Sequence, residues 1–284
     1  MSHDTPFDRQ ARRLRRDRAA SRFEAADYLH RLTAEELLER LDSVTRTFSK
    51  ALILGGAGES LRAGLQARGI EAVVADPSVR FAVAWEGLQC DEDRLPFADA
   101  SFDLVFSIGL LDSVNDLPGA LLLIRRVLRP DGLFLGAFAG AGTLPRLRSA
   151  MFAADEAQGG AAPHIHPQID VRAAGDLLAR AGFTLPVVDC HGFDVRFPHL
   201  LARVADLRAM GATNVLAARS PRPLGRAAVA AALADFAAAA DQDGKTAERF
   251  EIVHLLGWAP APEQPKPARR GSASVSLAAA LKPR

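Results

Sequence analysis

Three loops in this chain carry residue types that could hold a nucleotide-like ligand. The first is Leu54-Gly55-Gly56-Ala57-Gly58-Glu59-Ser60. Gly55, Gly56 and Gly58 let the backbone turn tightly and approach a ligand, and a helix beginning near Ser60 offers N–H donors to an anion such as a carboxylate. The second ends an apolar run at Val73-Val74-Ala75-Asp76-Pro77. An acid there, about twenty residues past the glycines, can accept hydrogen bonds from ribose hydroxyls, although Asp is also a common helix N-cap. The third, Cys90-Asp91-Glu92-Asp93-Arg94-Leu95-Pro96-Phe97, adds Asp91 and Glu92.

Two further groups invite chemistry. His164 and His166 stand two apart in Pro163-His164-Ile165-His166-Pro167. An extended segment would point both to one face, as a metal pair or an acid/base. No further ligand cluster accompanies them, so the plainer reading is a lid loop whose imidazoles bond to backbone, and no metal is expected. Seven arginines lie between Arg9 and Arg22. They could dock an acidic protein surface or a phosphate, but a charge run is more often a solvated helix face. No residue is singled out as catalytic.

The elements that must position these loops follow from periodicity. Residues 7–48 carry helical spacing without a glycine, as in Ala34-Glu35-Glu36-Leu37-Leu38-Glu39-Arg40-Leu41, and predict one to three helices. From Lys50 short apolar runs alternate with helical stretches, the pattern of a parallel sheet with crossover helices. Strands are expected at Ala51–Leu54, Ala72–Ala75, around Gly87–Cys90, at Leu104–Ile108 and at Leu133–Ala137, then at Leu185–Cys190 and Phe250–Trp258. Helices are expected at Leu61–Gln66, Val79–Ala84, Leu117–Leu128, up to about Ala157 and at Val171–Ala181. In Arg129-Pro130-Asp131-Gly132, proline should end the helix and Gly132 supply the positive φ before the next strand. Ligands of an open α/β sheet sit beyond the carboxyl ends of its strands, where all three loops fall.

Composition narrows the partners. An apolar fraction of 49% over 284 residues is ample for a core. With 35 Lys+Arg against 34 Asp+Glu, the net charge of +1 gives no whole-protein field toward nucleic acid or an anionic membrane, so no nucleic-acid partner is expected. No run of eighteen apolar residues predicts a membrane span, and no export signal is read at the N-terminus. Cys90 and Cys190 lack disulfide or zinc spacing and suit a reducing, cytoplasmic location.

The strings Asp91 through Leu95-Pro96-Phe97, Ser101-Phe102-Asp103-Leu104-Val105 and Val127-Leu128-Arg129-Pro130-Asp131-Gly132 resemble the central motifs of class I S-adenosylmethionine (SAM)-dependent methyltransferases. The resemblance implies a Rossmann-like, doubly wound α/β sheet with a final antiparallel strand. It also implies SAM as cofactor, with its carboxyl end over Gly55–Gly58, ribose at Asp76 and adenine beside Asp91 and Glu92. Nearly the whole chain is similar to a narrower family, the arginine-hydroxylase assembly factor of respiratory complex I and its bacterial relatives, and more distantly to the methyltransferase of malonyl carrier protein. Phe7-Asp8-Arg9, Asp17-Arg18-Ala19-Ala20, Val114-Asn115-Asp116-Leu117-Pro118, Thr143-Leu144, Leu147-Arg148, Pro163-His164-Ile165 and Arg270-Gly271-Ser272-Ala273 carry that similarity. It implies a protein or carrier-linked substrate, with a respiratory complex subunit as one candidate partner, and makes His164 the candidate for substrate contact. Methyl transfer is the default chemistry; arginine hydroxylation and a catalytically weakened binding or assembly role are the alternatives.

The expected organisation is an N-terminal helical segment (1–48), a methyltransferase-like domain (49–258) with a helical cap insertion at about 195–240 over the substrate opening, and an extended tail (259–284). Against the family pattern, Ile53 stands where an acid is usual, Ala57 and Glu59 replace glycines, Leu111-Asp112-Ser113-Val114 stands where a His-Trp pair precedes the valine, and Gly142 replaces an acid. These changes face the ligand side, where Glu59 would oppose a carboxylate unless it turned outward.

Overall fold

The structure is a computed structural model of the chain, and it describes residues 5–55 and 59–264. Gly56, Ala57 and Gly58 of the first loop, and the C-terminal segment with Arg270-Gly271-Ser272-Ala273, lie outside the described residues.

Two helices, α1 (Arg9–Ala19) and α2 (Tyr28–Asp42), precede the sheet, with a short 3-10 turn at Phe23–Ala25 between them. The strands are β1 (Lys50–Leu54), β2 (Glu71–Asp76), β3 (Leu88–Gln89), β4 (Phe102–Ile108), β5 (Leu128–Ala139), β6 (Thr184–Phe197) and β7 (Thr246–Trp258). Helices α3 (Glu59–Ala67), α4 (Val79–Ala84), α5 (Leu117–Val127), α6 (Pro145–Gln158), α7 (Val171–Arg180), α8 (Leu200–Met210) and α9 (Arg226–Ala238) connect them. One seven-stranded sheet has the order β3-β2-β1-β4-β5-β7-β6, with β1 to β5 parallel and β7 antiparallel to both β5 and β6. The order reverses between β1 and β4, which is where such a sheet opens a crevice at its carboxyl end.

Residue alternation explains why both faces are covered. Leu52, Leu54, Val105 and Phe134 point into one core with Leu121 and Ile124 of α5 and Leu178 of α7. Ala51, Ile53, Leu104, Phe106 and Leu135 point to the other, against Leu37 and Leu41 of α2 and Leu61 and Leu65 of α3. Strands buried on two faces read as near-continuous apolar runs, which is how β1 and β4 read. Ile53 at the expected acid position is a core residue, 3% exposed. Trp85 and Trp258 pack against the second core.

Three expectations need correction. Asp131 takes the positive φ of 60°, not Gly132. Aspartate tolerates the left-handed region. Gly132 is needed for space, because a Cβ there would lie 2.9 Å from the Arg129 carbonyl and 3.1 Å from that of Asp103. Strand β6 continues to Phe197, well past Cys190, because its whole length finds a partner in β7, from Thr184 opposite Trp258 to Phe197 opposite Thr246. Finally, only α8 of the two late helices borders the opening at the sheet's carboxyl end. The Ala-rich α9 buries Ala228, Ala232 and Phe236 against Leu147, Ala150 and Ala154 of α6 instead.

Candidate active site

The arginine-rich segment folds as α1 because Asp8 caps it, its carboxylate accepting from the Ala11 N–H at 2.9 Å. The helix start is tied down by Asn115, which exchanges two hydrogen bonds with the Phe7 backbone, and by Arg219, which donates to Asp8. Arg9, Arg12, Arg13 and Arg16 stand at i, i+3, i+4 and i+7 and so share one face. That face lies on the acids at the ends of β2 and β3. Arg16 makes a bidentate pair with Asp76 (2.6 and 3.1 Å), and Arg12 a bidentate pair with Glu92 (2.7 and 2.9 Å). Arg13 and Arg9 both reach Asp91, and Arg9 also holds Asp93.

These are buried contacts: Arg12 and Arg16 are 5% exposed, Asp76 0%, Asp91 and Glu92 1%. The solvated-face expectation for the arginine run is therefore wrong along this stripe, and the acidic surface that it docks is the chain's own. Burial works to raise the Asp91 carboxyl, but hydrogen bonds from Arg13 and Arg9 outweigh it and hold the group below the usual carboxylate range. Burial pushes the neighbouring Cys90 thiol up to about 12, so it stays protonated.

A cavity of about 880 Å³ opens beyond the carboxyl ends of β4 and β5. Ile108, Gly109, Ala137 and Phe138 form its strand-end wall, α8 contributes Val204, Leu207 and Met210, and Arg12 and Arg16 stand on the α1 side. Gly109 adopts φ +66°, and a Cβ there would come within 2.8 Å of the His30 ring. Arg12 and Arg16 thus line the cavity while their guanidinium ends reach the acids. Asp112 also faces it, its carboxyl pushed up to about 6 by burial, which Arg12 only partly offsets. Burial lowers His30 and His166 to about 4, leaving both neutral at pH 7.

His164 and His166 both line this cavity, and they divide their partners. His166 Nε2 accepts from the Val215 N–H at 3.1 Å, with its ring edge-on to Phe7, as the lid-loop reading expects. His164 Nε2 lies 2.9 Å from Asp155 and not on backbone. Gly55, at φ +94°, closes β1 with its N–H donated to the Ala75 carbonyl. Glu59 opens α3 and is exposed. The structure thus groups Asp76, Asp91 and Glu92 at the ends of β2 and β3, behind Arg12 and Arg16, and sets His164 among the residues that line the cavity.

Sequence reasoning missed Arg9, Arg12, Arg13 and Arg16 as the partners of those acids. Their i, i+3, i+4, i+7 spacing was the signal. It also passed over Glu248, fully buried on β7, whose carboxylate accepts from the Arg146 and Leu147 N–H groups at 2.9 Å each. It caps α6, whose own N-cap, Leu144 at φ 64°, makes no side-chain hydrogen bond.

The donor set suits SAM in kind. An acid ending β2 matches a ribose diol, two acids after β3 match an adenine edge, and a left-handed glycine ends β1. The Arg16 pair means that a ribose at Asp76 shares or displaces a guanidinium contact.

Comparison with known proteins agrees with this geometry. A family described as a methyltransferase domain matches residues 54–136. The arginine-hydroxylase NDUFAF5 of Danio rerio mitochondria is 36% identical over 283 residues, covering 96% of this chain and 88% of the relative. Its Homo sapiens counterpart is 35% identical, over 95% of this chain and 82% of the relative. The malonyl-[acyl-carrier protein] O-methyltransferase of Xylella fastidiosa is 33% identical over 90% of each chain. Among solved structures, a Bacillus halodurans protein assigned as a methyltransferase superposes with TM-score 0.55 at 13% identity, covering 80% of this chain and all (100%) of the other. The YcgJ protein of Bacillus subtilis gives 0.53 at 14%, over 80% and 99%. At such identities these two show the fold alone.

Proposed function

We propose, from the premise that the chain belongs to the SAM-dependent methyltransferase family of these arginine hydroxylases and malonyl-carrier methyltransferases, that it methylates a protein-bound or carrier-linked acceptor. The observation that carries the reading is the placement of a roomy cavity at the ends of β4 and β5 beside buried acids at the ends of β2 and β3. Asp76 would hold the ribose, Asp91 and Glu92 the adenine, and the turn through Gly55, Gly56 and Gly58 the carboxyl end. SAM supplies an electrophilic methyl on a cationic sulfonium, so the protein's task is alignment and exclusion of water. On the acceptor side, His164, held by Asp155, would contact substrate and take a proton where the acceptor carries one. The test is incubation of the purified protein with methyl-labelled SAM and candidate acceptor proteins. Label in the acceptor supports transfer; an added oxygen without label, read by mass spectrometry, supports the hydroxylase alternative.

A second reading, a binding or assembly protein with weakened catalysis, is favoured by the arginines seated on Asp76 and Glu92 and by Glu59 in the first loop. A respiratory complex subunit would then be a candidate partner. Among the described residues no helix is long and apolar enough to cross a membrane. We place the protein in the cytoplasm, where its two free thiols, Cys90 and Cys190, would stay reduced. Functionally, residues 1–48 would act as a cover on the methyltransferase-like domain 49–258.

A further inference from the structure

We propose that the mouth of the large cavity is an anion-binding site, formed by Arg15, Arg18, Arg22 and Arg208, and that the acceptor enters as a phosphate or carboxylate carried on an apolar stem. The inference rests on the reading of this cavity as the acceptor site. Six arginines line the cavity: Arg12, Arg15, Arg16, Arg18, Arg22 and Arg208, against one carboxylate, Asp112. Two of the six are answered from behind by Glu92 and Asp76. The other four have no carboxylate within ion-pair distance among the described residues; Arg15 donates only to the Thr213 hydroxyl, at 2.8 Å.

Arg18, Arg22 and Arg208 are exposed and Arg15 half-buried, so the four belong to the opening and not to the floor. Arg18 and Arg208 stand in the last turns of α1 and α8, where a cation is favoured. That accounts for two basic residues, not for cations from three segments gathered at one opening. The crowding costs Arg15 some of its basicity: burial lowers it first, and Arg219, Arg18 and Arg208 repel it further, which Asp8 only partly offsets. Such a like-charge group is relieved by a bound anion, and guanidinium forks match phosphate and carboxylate oxygens.

Below the opening the wall changes character. Leu29, Met151, Val204, Leu207, Met210 and Ile252 line it, an apolar passage toward Gly109 and the ends of β4 and β5. His30 Nδ1, buried and without a hydrogen-bond partner among the described residues, lines the same passage. An anionic head on an apolar stem fits both zones. A guanidinium acceptor would have to pass four unpaired cations, so this cavity disfavours an arginine side chain.

The test is calorimetric titration of the full chain with hexyl phosphate, hexanoate, hexylguanidinium and hexanol, and separately with S-adenosylhomocysteine. The expected result is that the anions bind at least about ten-fold tighter than hexanol or hexylguanidinium. Arg15→Gln with Arg208→Gln should remove most of that advantage while leaving hexanol and S-adenosylhomocysteine binding unchanged. Arg18→Gln with Arg22→Gln, both exposed, repeats the comparison with less risk to folding. Phosphate above hexanoate would mark a phosphorylated acceptor, and the reverse order an acidic one. Hexylguanidinium binding as tightly as the anions, or an anion advantage that survives both double substitutions, would overturn the proposal. Anion binding without any S-adenosylhomocysteine binding would instead sink the methyltransferase reading and leave this site standing.

Discussion

Replacing Arg16 by methionine isolates the electrostatics of α1 on the β2 acid. Methionine keeps much of the aliphatic stem over Phe81, whose ring lies 5.0 Å from the Arg16 guanidinium carbon, and removes the charge. Asp76, 0% exposed, keeps the Ser78 N–H at 2.7 Å and loses the Arg16 guanidinium. For charges about 4 Å apart, an effective dielectric near 20 gives about 4 kcal/mol of attraction, and breaking buried pairs costs roughly 3–5 kcal/mol. Urea denaturation near pH ~7.5 should therefore show Arg16→Met less stable by about 3–5 kcal/mol. Adding Asp76→Asn should restore all but about 1–2 kcal/mol, since the neutral pair leaves no uncompensated charge. A single-variant cost under about 1 kcal/mol, or additive costs in the double variant, would refute the claim that this pair anchors α1.

Other outcomes follow from the same contacts. Glu248→Ala should cost about 2–3 kcal/mol in a denaturation curve, because two α6 N–H groups lose their buried acceptor, whereas Glu248→Gln, which keeps one acceptor oxygen, should cost less. Asp112→Asn should raise stability by about 1–3 kcal/mol at neutral pH and by under about 1 kcal/mol near pH ~4. Its folded carboxyl sits at about 6 against 3.8 unfolded, so ionisation penalises the fold above that window and vanishes below it. His30 has the opposite dependence: with its pKa lowered from 6.5 to about 4, the unfolded chain binds the proton first, and stability falls as pH drops through this range. His30→Gln should spare the protein about 2 kcal/mol of the loss between pH ~7.5 and ~5, read by thermal melting at each pH.

The sheet was legible because the central parallel strands β1 and β4 are apolar on both faces and each turn carries its own chemistry. Leu52 and Ile53 diverge to opposite cores, yet both read as strand residues. The acids of the candidate site were legible from their place in the chain, since Asp76 ends β2 and Asp91 stands two residues past β3. Local pattern could not show what lies across the chain. Arg12 and Glu92 are 80 residues apart, and Arg16 and Asp76 are 60. A run of arginines reads as solvated until the acids that face it are placed. The end of β6 was missed because Gly192 and the alternating charges of Asp194 and Arg196 weaken the strand signal, while β7 supplies the pairing to Phe197. Gly132 was misread because its role is the close approach of Arg129 and Asp103 carbonyls, which spacing along the chain does not reveal.

The most direct test of the account is isothermal titration of the protein with SAM and S-adenosylhomocysteine, alongside Asp76→Ala. The account predicts micromolar binding of both ligands, weakened at least about ten-fold in the variant, a difference of roughly 1.4 kcal/mol. No binding up to about millimolar, roughly −4 kcal/mol, or binding that ignores Asp76, would contradict it.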